Sequence, residues 1–169
     1  LREDRRHIKD NDLINLKKKL KIPLNLEMAP TMEMLKISLK HRPDYICVVP
    51  EKRTEITTEG GLNLKKNHKL LKKILKKFKD KKIRSSLFIE PRISDIKIAK
   101  DINADCVEIH TGKICNLLNK NKSIKKEFIK IRSAVSYANK IGLEVHAGHG
   151  INFSSAKVLS KIKGIKEFN

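Results

Sequence analysis

Aromatic residues and long hydrophobic runs are both scarce in this chain. Its 169 residues include two Tyr, five Phe and no Trp. Apolar runs such as residues 46–49 fall far short of the roughly 20 residues that a membrane-spanning helix needs. The first ten residues are charged from the second position onward, so we expect neither a transmembrane helix nor a secretory signal peptide. The chain does not begin with Met, and we therefore interpret it as incomplete or processed.

Cysteine is also rare, with three residues and no CxxC pair. A zinc site or a redox dithiol is therefore not indicated. Cys47 and Cys106 stand in apolar runs and are predicted to be small buried side chains. The odd cysteine count and the expected absence of a signal peptide favour a reducing, cytoplasmic location.

Basic residues outnumber acidic ones two to one: the chain has 39 Lys and Arg and 19 Asp and Glu, and its net charge is +20. Such an excess would attract nucleic acid or an anionic membrane surface. Proteins that bind nucleic acid usually combine their lysines with aromatic residues or Arg, and both are few here. Many lysines instead separate apolar residues that recur at helical spacing over residues 64–78, which predicts an amphipathic helix with a solvated basic face. We expect no nucleic-acid or membrane partner, although a non-enzymatic polyanion-binding module stays open as an alternative.

Short β-branched runs alternate with longer amphipathic segments along the whole chain. The predicted strands cover residues 24–28, 45–49, 86–89, 106–110 and 143–146, and the predicted helices cover residues 12–20, 32–41, 64–82, 93–101, 123–140 and 155–162. This alternation, with nearly continuous apolar strands, predicts a parallel sheet covered by helices. Because no GxGxxG turn follows the first strand, a dinucleotide-binding half is not supported.

Five regular strand–helix units favour a (β/α)₈ TIM barrel over an open sheet. A complete barrel typically has about 250 residues. We therefore expect residues 1–169 to form a single partial barrel domain, truncated at the N-terminus and before the last strand. Residues 164–169 are interpreted as the entry to a strand that is cut off. Such a piece would leave two sheet edges unpaired, and we expect it to be poorly soluble on its own.

Acids, histidines and glycines follow the predicted strands near their carboxyl ends, where barrel enzymes carry their catalytic residues. Glu27 lies in an apolar context, where a carboxylate is costly unless paired, and a functional base is favoured over a buried ion pair. His149 stands between Gly148 and Gly150, which permit close approach of a ligand to backbone N–H groups. An anion could lie there, at the start of the helix near Ser155, although a plain turn with a surface His remains an alternative.

Basic and hydroxyl side chains are candidate phosphate contacts. Arg2 and His7 belong to a basic opening segment that could clamp phosphate or form a surface loop. Thr57 begins the TTEGG stretch, which could cap a helix or donate hydroxyl and N–H groups to phosphate. Glu108 and His110 alternate on one strand, so both face the same side. The residues alone thus predict a phosphate-handling barrel with Glu27 and His149 as acid/base groups, but no particular substrate.

Six motifs, in order, resemble the pyridoxine 5′-phosphate synthase family. They are LREDRRHI at residues 1–8, NLEMA at 25–29, VPEKR at 49–53, TTEGG at 57–61, EIHTG at 108–112 and AGHG at 147–150. The resemblance implies a cytoplasmic (β/α)₈ barrel assembled as a homo-octamer, with no metal and no organic cofactor. It implies condensation of 3-amino-2-oxopropyl phosphate with 1-deoxy-D-xylulose 5-phosphate, giving pyridoxine 5′-phosphate, inorganic phosphate and water.

The same resemblance assigns roles to individual residues. It implies that Glu27 is a catalytic proton acceptor and that His149 is the proton donor. Positions that bind the deoxyxylulose phosphate are matched by Arg2, His7 and Thr57, and Gly150 matches a position that binds the amino-oxopropyl phosphate. Glu108 is an expected auxiliary group.

The chain also departs from the family pattern. The family's catalytic His directly before Leu1, its first strand and its final Gly-His pair are absent from these 169 residues, and His146 replaces a usual Asn. We therefore expect this chain to be inactive as it stands. A different phosphosugar aldolase or isomerase is the second alternative. A Schiff-base aldolase needs a reactive Lys at a strand end. The near candidate, Lys52, lies between Glu51 and Arg53 and suits an ion-pair network better.

Overall fold

The computed structural model of the chain describes residues 1–51 and 60–169. Six strands form one sheet: β1 (Asn25–Met28), β2 (Tyr45–Val48), β3 (Arg84–Ile89), β4 (Cys106–His110), β5 (Glu144–Gly148) and β6 (Ile165–Phe168). The helices are α1 (Asp10–Lys19), α2 (Met32–His41), α3 (Leu64–Asp80), α4 (Ile93–Asp101), α5 (Gly112–Asn119), α6 (Lys125–Lys140) and α7 (Phe153–Leu159).

The strands are all parallel and lie side by side in chain order, from β1 to β6. This order is that of a barrel wall, because a doubly wound sheet would reverse direction at a switch point. The described residues form an α/β half-barrel of six parallel strands. This architecture agrees with the predicted parallel barrel. Six strands form only part of the eight-stranded ring that the (β/α)₈ prediction requires.

Two details correct the sequence prediction. Residues 165–168 form a paired strand, β6, rather than only the entry to one; Val145 is in register with Ile165, and His146 with Glu167. Helix α5 was not predicted, because Gly112 and the Lys- and Asn-rich residues that follow mask its short apolar stripe. Its buried residues, Ile114 and Cys115, pack in the main core.

The main core lies between the outer face of the sheet and the helices. Alternate strand residues such as Met28, Ile46 and Leu87 point into it, as period-two alternation requires. From α3, Leu71 and Phe78 join this core while the lysines between them stay exposed. The amphipathic helix predicted from residues 64–78 is confirmed, and its basic face is solvated.

The opposite, concave face of the sheet carries polar side chains. Glu27, Cys47 and Glu108 alternate with the core residues of their strands, and a small apolar cluster of Cys47, Val49 and Phe88 lies among them. The concave face is therefore the surface on which ionisable groups from separate strands can meet. In residues 1–51 and 60–169, every helix is too short or too polar to cross a membrane.

Candidate active site

A cleft of about 500 Å³ opens at the carboxyl ends of the strands. Its walls come from the N-terminal segment, β1, the ends of β2 to β5 and the chain end after β6. The lining residues are Arg2, Glu27, Val49, Pro50, Gly60, Phe88, Glu108, His149, Gly150, Ile151 and Asn169. Four of the sequence-predicted residues, Arg2, Glu27, His149 and Gly150, thus share one cavity although up to 148 positions separate them.

Glu27 and Arg2 form one side of this cleft. Glu27 is exposed on β1, at the open edge of the sheet. The Arg2 guanidinium donates to the backbone carbonyl of Pro50, which follows β2. Since a carbonyl uses only part of the five-donor fork of Arg, this contact orients the guanidinium and leaves N–H groups for an anion.

His149 lies on the opposite side, in the loop that follows β5. Its backbone φ is +82°, an unusual conformation for a residue with a side chain, and Gly150 follows with φ +76°. The buried Thr111 hydroxyl lies 2.7 Å from the carbonyl oxygen of Gly148 and 2.9 Å from that of His149, and thus holds the turn. Strain of this kind, about 1–3 kcal/mol, persists only when the surroundings enforce it and is concentrated at functional sites.

The electrostatics of His149 favour its neutral form. Partial burial of the ring lowers the pKa of His149, the nearby His110 lowers it further, and the Glu27 carboxylate opposes both effects. A lowered pKa makes the imidazolium form a stronger acid, which suits proton donation. The influence of Glu27 on His149 also places the two groups within electrostatic reach across the cleft.

Glu108 forms the floor of the cleft. Its Oε2 accepts a hydrogen bond from Asn169 at 2.8 Å and lies 3.6 Å from the Cys47 thiol. A Cβ atom built on Gly148 would lie only 2.0 Å from Glu108 Oε1, so this glycine makes room for the carboxylate. Burial raises the pKa of Glu108 above its usual value, with the Asn169 hydrogen bond acting against that shift. Sequence reasoning missed Asn169, because only the pairing of β6 with β5 brings it here.

A second histidine, His110, lies behind His149. The two ring centroids are 4.9 Å apart, and Phe88 meets the His110 ring edge-on at 5.1 Å. His110 Nδ1 lies 3.0 Å from Glu90 Oε1. Sequence reasoning placed His110 on the same face as Glu108 but assigned it no role.

His7, Thr57 and the anion position near Ser155 are the remaining sequence predictions for the site. His7 is exposed in a neighbouring depression of about 420 Å³ that shares Arg2 and Glu27 with the main cleft. Thr57 lies outside the described residues. The anion position expected at the helix near Ser155 corresponds to the start of α7, where Asn152 caps the helix by accepting from the Ser155 N–H at 2.9 Å.

One group with metal-ligating side chains occurs among the described residues, at the opposite end of the concave face. Atoms of Glu144, His146 and Glu167 lie within 4.8 Å of one another. The two ring nitrogens of His146 face different carboxylates, Nε2 at 2.9 Å from Glu144 and Nδ1 at 3.3 Å from Glu167. Arg84 also pairs with Glu144. Because Arg84 pairs with Glu144 and each ring nitrogen of His146 lies beside a carboxylate, these side chains form an ion-pair network in this structure.

A parallel half-barrel with a carboxylate, an imidazole and an arginine converging at its strand ends defines a class of protein: an enzyme of the barrel type, with its candidate active site at the carboxyl ends of the strands. Comparison with known proteins then narrows that class.

The family described as "Pyridoxal phosphate biosynthesis protein PdxJ" matches residues 1–169. The pyridoxine 5′-phosphate synthase of Pelagibacter ubique is 57% identical over 169 residues, which is 100% of this chain and 71% of the relative. The synthases of Ehrlichia chaffeensis and Zymomonas mobilis are 47% and 48% identical over the whole chain, which spans 69% and 65% of their lengths. The chain belongs to this family of vitamin B6 biosynthetic enzymes, and the resemblance drawn from the six motifs is confirmed.

Proposed function

We propose that this chain supplies most of an active site that condenses 3-amino-2-oxopropyl phosphate with 1-deoxy-D-xylulose 5-phosphate. The products are pyridoxine 5′-phosphate, inorganic phosphate and water. The single observation that carries the proposal is the shared cleft of Arg2, Glu27, His149 and Gly150. The names of the relatives support it, because each of the three is a pyridoxine 5′-phosphate synthase.

In this proposal Glu27 accepts protons and His149 donates them. The condensation joins an amine to a ketone, expels phosphate and water, and closes an aromatic ring, so protons must move repeatedly between carbon, nitrogen and oxygen. Glu27 is accessible to a ligand in the cleft, and the lowered pKa of His149, caused first by partial burial, makes its protonated form a competent acid. Glu108, whose pKa is raised by burial, lies at the floor of the cleft and is an auxiliary acid–base group in this proposal.

Two phosphate groups must be held during the reaction. We assign the deoxyxylulose phosphate to Arg2, His7 and Thr57, and the amino-oxopropyl phosphate to the backbone of Gly150. Arg2 is already oriented by Pro50, and Gly150, whose φ is +76°, lines the same cleft. Holding both substrates by their phosphate groups would convert a bimolecular step into an effectively unimolecular one.

The test is an assay with both substrates, in which pyridoxine 5′-phosphate and released phosphate are measured together. We expect the 169-residue chain to bind each phosphate ester without completing turnover, whereas an enzyme that contains this chain and the family's remaining motifs turns over. Conversion of 1-deoxy-D-xylulose 5-phosphate alone would instead favour a phosphosugar aldolase or isomerase. Failure to bind either ester would contradict the proposed site.

We also propose that the complete enzyme assembles as a homo-octamer, as the resemblance implies. Phe153, at the start of α7, is 98% exposed and Ile22 is 69% exposed, and such large apolar side chains are common at subunit contacts. Light scattering after size-exclusion chromatography measures the assembly, and a stable monomer would contradict this part of the proposal.

A further inference from the structure

The Glu90–His110 pair lies outside the set of residues to which the proposed reaction gives a role. Glu90 is 2% exposed, at the end of β3, and the His110 side chain is 10% exposed, at the end of β4. A buried carboxylate is costly unless it is hydrogen-bonded. The Oε1 atom of Glu90 meets this requirement twice, since it lies 3.0 Å from His110 Nδ1 and accepts from the Gly61 N–H at 3.0 Å.

The His110 ring is enclosed by aromatic rings and glycines. Phe88 and His149 contact it at centroid distances of 5.1 and 4.9 Å. A Cβ atom on Gly112 would lie 2.8 Å from both His110 Nε2 and His149 Cδ2, and one on Gly60 would lie 3.0 Å from His110 Cε1. The glycines therefore allow the rings to approach, and any larger residue would push His110 away from His149.

Glu90 also fixes the backbone that borders the cleft at Gly60. The Leu62 N–H donates to the Phe88 carbonyl at 2.9 Å, beside the Gly61 contact with Glu90. A Cβ atom on Gly61 would lie 2.7 Å from the backbone nitrogen of Glu90, so only glycine allows this close approach to β3. One carboxylate thus anchors both a cleft-lining segment and the ring that supports His149.

We propose that Glu90 and His110 are positioning residues, which hold the His149 imidazole in place and set its charge state for proton donation. The Glu90 carboxylate accepts from His110 Nδ1 and so orients the ring with Nε2 on the side of His149. The lowering of the His149 pKa by His110 is the electrostatic consequence of this placement. The kinetic part of this inference rests on the proposed function, whereas the titration part does not.

The charged groups around His149 come from several elements. Across the cleft lie Arg2, Glu27 and Glu108, and a second cleft of about 490 Å³ on the other side of His149 is lined by His110, Lys113, Lys120 and Lys122. His110 is distinguished from the others by ring contact, so its removal should change the titration of His149 most directly.

The experiment is an NMR titration of the His149 ring in an enzyme that contains this chain and the family's remaining motifs, comparing the wild type with His110→Phe and Glu90→Gln. His110→Phe keeps an aromatic ring beside Phe88 but removes the imidazole, and Glu90→Gln keeps the shape while removing the charge. We expect the pKa of His149 to rise in His110→Phe, because the opposing effect of His110 is removed, and the His149 titration to shift in Glu90→Gln, because His110 loses the acceptor that orients it. His68→Phe is the matched control, because His68 pairs with Asp101 at 3.0 Å on the exposed side of α3, and it should leave His149 unchanged.

In a turnover-competent enzyme that contains this chain, the same two variants should lower kcat about tenfold or more, with KM changed less than about twofold. A His149 titration unchanged in both variants, together with kcat within about twofold of the wild type, would overturn the inference. If His110→Phe fails to fold, the His149 titration and the kcat of Glu90→Gln alone test the inference. Absence of any synthase activity would count against the proposed function, and the titration would still test the pair.

Discussion

The two ends of the concave face use the same kinds of side chain in opposite ways. At the amino ends of the strands, Glu144 lies between Arg84 and His146, and Glu167 approaches the other side of the same imidazole. At the carboxyl ends, Glu27 and His149 border an open cleft. Carboxylates and imidazoles that neutralise one another stabilise a fold, whereas those that face a cavity keep their protons available for exchange.

The difference has a geometric origin. Partners at the amino ends come from β3, β5 and β6, and a register shift between Val145 and His146 places Glu167 opposite His146, so the side chains meet directly. At the carboxyl ends, loops leave the sheet, and the chain segments after β2 and β5 separate the ionisable groups. Loops thereby create both space and access, which is why barrels carry their chemistry at that end.

The largest expected effect follows from Glu27→Gln, which tests whether the open end is catalytic. In a turnover-competent enzyme that contains this chain, kcat should fall about 10²- to 10⁴-fold, because an amide cannot accept the proton, while substrate binding persists. Steady-state kinetics and calorimetric binding measure the two quantities. Asp80→Asn, at the exposed end of α3, is the acid-to-amide control, and near-normal turnover of Glu27→Gln would remove Glu27 from the mechanism.

His149→Asn should lower kcat about 10²-fold while the melting temperature stays close to that of the wild type, since the side chain is exposed. In the wild type the protonated, donating form of His149 is lost as the pH rises through a pKa below 6.5, because partial burial and His110 lower it. In a plot of kcat against pH, the decrease assigned to proton donation by His149 should therefore occur below pH 6.5 in the wild type. It should be absent in the variant. Unfolding of His149→Asn would show that the residue is structural.

Gly148→Ala tests the floor of the cleft, because the added Cβ would lie 2.0 Å from Glu108 Oε1. The carboxylate must move, and overpacking of this kind costs about 1–3 kcal/mol of folding free energy. We expect a lower melting temperature and a changed Glu108 environment, measured by carboxyl NMR chemical shifts. Gly142→Ala is a control for destabilisation without a clash: the nearest atom to its added Cβ is Lys100 Nζ at 3.8 Å, but its φ of +68° strains any side chain. It should lower the melting temperature and leave the Glu108 shift unchanged, whereas a wild-type Glu108 shift in Gly148→Ala would contradict the expected displacement.

The smallest effect is expected at the amino ends, from Glu144→Gln. Loss of the pairs with Arg84 and His146 should destabilise the fold by about 1 kcal/mol and leave ligand binding in the cleft unchanged. Hydrogen bonding from Arg84 lowers the pKa of Glu144, so its contribution is present above the unfolded carboxyl pKa and is lost as the pH falls through the lowered folded value. Urea unfolding at several pH values should show the variant and the wild type converging in acid.

Asp80→Asn breaks the exposed pair with Lys76 and serves as the control for that experiment. A loss of cleft binding in Glu144→Gln, with stability unchanged, would reverse the proposed division between the two ends.

Much of the architecture could be predicted from the residue pattern. The alternation of apolar runs located five of the six described strands to within about two residues, because buried parallel strands need continuous apolar residues. The sixth, β6, is mostly exposed and polar, so its pairing with β5 depends on register rather than on hydrophobicity. For the same reason Asn169 and its contact with Glu108 could not be predicted.

By itself, the sequence determined that strands and helices alternate, that acids and histidines follow the strands, and which family the chain resembles. These are local properties, set by periodicity, composition and motif order. Only the tertiary structure decided that Glu27 and His149 border one cleft. It also decided that Glu90 contacts His110 and that Glu144 forms ion pairs. Such partnerships depend on strand register and loop paths, through which residues distant in the chain come within a few ångströms.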